Sequence, residues 1–189
     1  MTSRHLITLV IAALCIACSH SGSANPSTTA NQLSSPELMK TGENKPALAG
    51  VIRNVSLYPV PGRSSDLAIS LVVTVRNSGA ADHPDHWTLE VNSPTAGIPT
   101  GLEPVQVNGV VELPGTNKSV DLAKEDLTVK AAAPIGRDSQ VEGVLTFVLP
   151  HIEERALNHN SSSLVLHFKD SQGNSYKTPK AYIGTKVGG

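Results

Sequence analysis

Asp82-His83-Pro84-Asp85-His86 is the one short stretch of this chain whose residue types and spacing could do chemistry. Two imidazoles three residues apart, each preceded by a carboxylate, offer nitrogen and oxygen donors suited to a divalent metal such as zinc or copper. Asp82, His83, Asp85 and His86 are therefore the candidate metal ligands. Pro84 argues against a continuous helix, which would have set both histidines on one face. A complete site needs further ligands. His151, His159 and His167 are available, and only the fold can bring them in. The competing reading is a polar loop in which the aspartates stabilise turns ahead of Trp87.

Other chemistries are poorly served. No Gly-x-Ser-x-Gly elbow is present to raise a nucleophilic serine. Glu153 and Glu154 are adjacent in a polar segment, which suits a solvated charge pair better than an acid and a base flanking a cleft. The two cysteines are Cys15 and Cys18, so the chain beyond them has no thiolate for catalysis, zinc or a disulfide. Met39 is the only methionine after the initiator, which leaves little for a thioether copper site. With 15 Lys and Arg against 16 Asp and Glu and no basic patch, the electrostatic footprint of a nucleic-acid binder is missing. The expectation is a non-enzymatic protein with no catalytic residue and no cofactor. The alternative is a metal-binding protein or metal-dependent enzyme using the His83/His86 loop.

The first 24 residues read as an export signal. Arg4 and His5 make a short basic start, and the apolar run LITLVIAALCIA follows. At about a dozen residues it is shorter than the roughly 20 that a membrane-spanning helix needs. Two processing routes stay open. Cys18 follows the small Ala17 and resembles the lipid-acceptor cysteine of bacterial lipoproteins, with cleavage just before it; Cys15 stands where that motif prefers an aliphatic residue. Otherwise the signal is cut after Ala24, with Gly22 and Ala24 as the small residues at the cut. Residues 19–48 are rich in Ser, Ala, Asn, Thr, Pro and Gly and show no periodicity, so a disordered linker is expected there. About thirty such residues reach on the order of 30 Å. The destination is the periplasm or cell envelope, as a membrane-anchored lipoprotein or, by the second route, as a soluble secreted protein.

Residues 49–186 form the expected folded domain. Alternation with period two dominates it. Leu67, Ile69, Leu71, Val73 and Val75 place one face of a strand in a core and leave the other toward water or a rim. Val51, Val55 and Leu57 mark a shorter strand, ended by Pro59-Val60-Pro61-Gly62. Trp87, Leu89 and Val91 mark the next strand. Val105, Val107, Val111 and Leu113 predict a strand or a bent hairpin around Asn108-Gly109. Asp121, with Leu122, Val129 and Ala133 near helical spacing, predicts a short helix or helical turn within 121–133. Leu145, Phe147 and Leu149 line a strand ended by Pro150. Leu164, Leu166 and Phe168 line another, which turns at Asp170–Asn174 into a return strand demoted to an edge by Pro179.

About seven short antiparallel strands with one short helix bury their apolar faces best as two packed sheets. The fold class is therefore all-β, an immunoglobulin-like antiparallel sandwich preceded by a signal segment and a linker. SLVVTVRNSGA with a tryptophan soon after it, AAPIGRDSQVEGVLTFVLP and LVLHFKDSQGNSY together resemble bacterial secreted and lipoprotein domains with a telokin-like, immunoglobulin-like sandwich. That resemblance covers most of residues 51–176 and implies fold and location; it transfers no active-site residue. The expected partner is another envelope protein or a surface polymer, met at the edge near Pro179 or the loop 94–104. The membrane is a partner only through a lipid on Cys18.

Overall fold

Alternating side chains become nine strands, with one short α-helix and a 3-10 turn at Glu154–Ala156, among the described residues: β1 (Leu48–Val60), β2 (Arg63–Asn77), β3 (Asp85–Asn92), β4 (Val110–Glu112), β5 (Ser119–Asp121), α1 (Leu127–Lys130), β6 (Ser139–Leu149), β7 (Ser163–Lys169), β8 (Ser175–Lys177) and β9 (Ala181–Tyr182). The computed structural model describes residues 45–183 apart from 61, 95–97 and 158–160. The leader, Cys15, Cys18, Ala24 and the linker up to residue 44 lie outside the described residues. Every strand pair is antiparallel. One sheet runs β1-β2-β6. In the other, β7 pairs β3 on one side and both β8 and β9 on the other. The two bury a common core, so the fold is an all-β sandwich. Ile69, Leu71, Val73, Leu145, Phe147 and Leu149 come from the first sheet; Trp87, Leu89, Leu164, Leu166 and Phe168 come from the second.

A one-residue irregularity decides which side chains of β1 face in. Ile52 pairs with Val73 and Asn54 with Val72, so Arg53 is an extra residue that reverses the alternation. Before it Leu48 and Ile52 are buried; after it Val55 and Leu57 pack against the core. Val51, expected on the same side as Val55, therefore faces the other way. Leu48, grouped with the linker by composition, opens the strand and is buried. Just upstream, Ser78 donates its amide to the Ala47 carbonyl at 3.0 Å and Ala80 to that of Lys45 at 3.0 Å. Gly79 permits that approach, because a Cβ there would lie 2.2 Å from the Lys45 carbonyl oxygen.

The second face of β2 is not left to water. Ala68, Ser70 and Thr74 are buried along with the core face. The β4–β5 hairpin lies against this side: Asn54 Nδ2 donates to the Pro114 carbonyl at 3.2 Å, and Ser56 Oγ to that of Glu112 at 3.3 Å. Covered polar groups need partners. The Ser70 and Thr146 hydroxyls lie 2.7 Å apart, the Tyr58 hydroxyl lies 2.8 Å from Ser70, and Thr74 donates to Glu142 at 2.8 Å.

Three local expectations change. The hairpin turns at Pro114-Gly115 rather than Asn108-Gly109, and Gly115 takes the positive φ of 72°. Val105 and Val107 lie outside any strand, and Val105 is 42% exposed. The helix is a single turn whose cap is Asp126, which accepts from the Thr128 amide at 2.8 Å. Asp121 caps the turn before it, accepting from the Ala123 and Lys124 amides. Val129 is 63% exposed, while Leu127 is fully buried. Leu127 fits because Gly143, opposite the inward Val73, has no side chain; a Cβ there would lie 2.9 Å from the Leu127 Cα. The return strand pairs with β7 twice, as β8 and β9, and breaks at Thr178–Lys180 around Pro179. Thr178 bridges the break: its amide donates to the Leu166 carbonyl and its hydroxyl accepts from the Leu166 amide.

Trp87 is 5% exposed, with its ring centroid 5.0 Å from that of Phe168. Trp87→Ala should lower unfolding free energy in urea by roughly 3–5 kcal/mol. A loss under about 1 kcal/mol would mean the indole contributes little to the packed interior.

Candidate functional site

A cleft of about 490 Å³ opens beside the start of β3 and collects the sequence candidates His83, Asp85 and His86, with Trp87, Glu103 and Thr128 among the other lining residues. The loop that builds it is tied down by its own aspartates. Asp82 is buried; its Oδ1 accepts from the His83 amide at 2.6 Å and from the Ser171 amide at 3.3 Å. Its backbone also pairs with Ile135 in both directions, at 3.3 Å and 2.7 Å. Asp85 Oδ1 accepts from the His86 amide at 2.7 Å. The carboxylates are thus engaged in holding the turn, as the loop reading expects.

His86 sits at φ 52°, a left-handed conformation uncommon for a residue with a Cβ. It falls where the register of β3 against β7 slips, between the Asp85–Lys169 and Thr88–His167 pairs. This extra residue re-aims the chain. The His86 side chain is left 74% exposed, and Trp87 turns inward. His83 Nδ1 lies 3.7 Å from Asp82 Oδ1, and His86 Nε2 lies 4.0 Å from Asp85 Oδ2, so each imidazole stands beside its own neighbouring carboxylate. Among the described residues no three His, Cys, Asp or Glu side chains come together in an arrangement that could hold a metal ion.

The other histidines do not join them. His167 is on the outer face of the second sheet, with Nε2 2.9 Å from Glu90 Oε2. Hydrogen bonds from Asn92 first, and then His167, hold the Glu90 carboxyl below its ordinary range. The His151 amide donates to Asp66 across the turn that follows β6. His159 lies outside the described residues. Glu153 and Glu154 are exposed, and Glu153 pairs with Arg155.

Sequence reading missed Glu103 and Thr128. Leu102 exchanges backbone hydrogen bonds with Leu89 at 2.8 and 3.0 Å, which brings Glu103 next to β3. Thr128 arrives on α1. No local pattern marks either residue, because each reaches the cleft through contacts distant in sequence.

Behind the cleft stands an aromatic stack. Phe168 lies between Trp87 and Tyr176, with the Tyr176 ring 5.5 Å away and nearly parallel. The Tyr176 hydroxyl donates to Asp170 Oδ2 at 2.9 Å. Burial, then the bond to Asp170, pushes the phenol up to about 12. Burial of Asp170 opposes ionisation, but donors from Asn174, Tyr176 and Gln172 outweigh it and hold the carboxyl below its ordinary value. The same aspartate shapes the β7–β8 turn, whose Gly173 takes φ 83°. No family model matches the chain, and the comparisons with curated proteins and with solved structures found no match.

Two outcomes follow from this geometry. Asp170→Asn keeps the shape but loses a charged acceptor, so near neutral pH it should cost about 1.5–3 kcal/mol. A lowered folded pKa contributes stability above the unfolded value, about 3.9, and loses it as pH falls through the folded value. The gap between wild type and variant in urea titrations should therefore close in acid; a gap independent of pH would refute the role of the charge. For the cleft, zinc or copper titrated calorimetrically into the folded protein should bind no more tightly than to the His83→Ala/His86→Ala variant. Tighter binding to the wild type would restore the metal reading.

Proposed function

We propose that this chain is an exported, lipid-anchored module of the bacterial envelope, an immunoglobulin-like sandwich that works by binding and not by bond chemistry. The observation that carries the reading is where the chain joins the sandwich. Residues 45–47 are hydrogen-bonded to the 78–80 turn, at the end that also holds the Asp82–His86 loop and the Asp170–Asn174 turn. A leader, a candidate lipid-acceptor Cys18 and a polar spacer precede that point. With 13 residues in β1, at about 3.3 Å each, the other end of the sandwich lies roughly 40 Å from that junction. The described residues of the loops there are the turn at Gly62, residues 93–94 and 98–101, and residues 150–157 after β6. They are the surfaces best placed to meet another envelope protein or a surface polymer.

Strand order supports the immunoglobulin-like assignment. The sheet β1-β2-β6 facing β3-β7-β8 follows the order A-B-E against C-F-G, with β4 and β5 in the excursion between the third and fifth positions. Binding is favoured over catalysis because the carboxylates of the best candidate loop accept hydrogen bonds from its own backbone.

Cys18→Ser should move the protein from the membrane fraction to the soluble fraction, and metabolic labelling with a fatty acid should be lost. A variant that fractionates and labels like wild type would overturn the anchor.

A further inference from the structure

Asn108-Gly109 is the only Asn-Gly pair in the chain. It falls in the extended segment ahead of β4, outside any strand or helix, and both residues are exposed. Gly109 has φ 147°, and a Cβ built there would meet nothing within 4 Å. Its carbonyl accepts from the Leu122 amide at 2.9 Å. Among the described residues, neither the Gly109 amide nor the Asn108 side chain has a hydrogen-bond partner.

We propose that Asn108 is a site of spontaneous deamidation in the folded protein. The Gly109 backbone nitrogen loses its proton and attacks the Asn108 side-chain carbonyl carbon. A nitrogen–carbon bond forms, and the side-chain nitrogen leaves as ammonia. The resulting five-membered succinimide is opened by water at either carbonyl, giving aspartate or isoaspartate. One water is consumed and one ammonia released, with no change of oxidation state. Glycine allows this because no Cβ crowds the attacking nitrogen and the backbone can rotate into the ring-closing conformation.

Three other asparagines show what protects a site. Asn77 is fully buried and spends its amide on four hydrogen bonds: it donates to Ala80 and Ile135 and accepts from Gly79 and Ala47. Asn174 donates its side chain to Asp170. Asn117 is exposed but is followed by Lys118, whose Cβ hinders attack.

Conversion has a local consequence. It adds a carboxylate to a groove of about 360 Å³ that Leu57, Val110 and Val111 also line. In the isoaspartate form the main chain gains a carbon immediately before Gly109, whose carbonyl anchors the segment to Leu122 at the foot of the β4–β5 hairpin.

The test is peptide mapping by mass spectrometry of the full chain held at mildly alkaline pH, folded in one arm and in urea in the other. Asn108 should convert in the folded arm within about threefold of its rate in urea, since a segment with so few backbone bonds opens at little cost. Isoaspartate should exceed aspartate, and Asn117 should lag in both arms. Folded-state conversion more than about threefold slower than in urea would show that the fold protects the site and overturn the proposal. So would an Asn117 rate equal to that of Asn108. Asn108→Ser must abolish the product peptide.

Discussion

The unbroken apolar face of β2 is the constraint on which the rest of this structure depends. The strand lies between β1 and β6, and its inward residues from Leu67 to Val75 are buried without exception. Because side chains alternate, a slip of one residue would send that whole row to the wrong face. The register with β6 runs without a break from Leu67–Leu149 to Asn77–Ser139. Irregularity is confined to strands at the edges. Arg53 reverses the parity of β1, and His86 does the same at the start of β3. The first irregularity exchanges Val51 for Ile52 in the core; the second sets Trp87 inward and His86 outward.

Polar groups buried with this core act as fasteners between distant segments. Asn77 joins the residues before β1, the turn after β2 and the loop at Ile135. Asp82 ties its loop to the β7–β8 turn, and Asp170 ties that turn to Tyr176 and so to the aromatic stack behind the cleft. Each group has hydrogen-bond partners, the condition under which burial of a polar side chain is tolerated. The same economy explains why the acidic loop is poorly suited to a metal: lone pairs given to backbone amides are not directed at a shared ion.

The strands most regular in sequence were legible from it. Leu145, Phe147 and Leu149, then Leu164, Leu166 and Phe168, face the core as their spacing requires, and Pro179 breaks the return strand. The region between β3 and β6 was legible only in outline. Val105 and Val107 look like strand residues, yet their segment is held by scattered bonds from Leu102 to Leu89, from Val105 to Thr146 and from Leu122 to Gly109. Its conformation is set by the sheet edges it crosses, and these are far away in sequence. The helix shrank to one turn for the same reason. Leu127 is drawn into the space over Gly143, while Val129 is left 63% exposed.

By itself, the order of residue types determined that alternating strands must stack and where several of the turns fall, because side-chain periodicity and the conformational limits of proline and glycine are local properties. It also picked out the Asp82–His86 loop. Whether those side chains converge was decided by tertiary structure. The extra residue at His86 leaves its imidazole largely exposed at the cleft, and the bridge from Leu102 to Leu89 brings Glu103 in. Convergence depends on the positions of groups separated by tens of residues, and such positions are set by packing rather than by any nearby pattern.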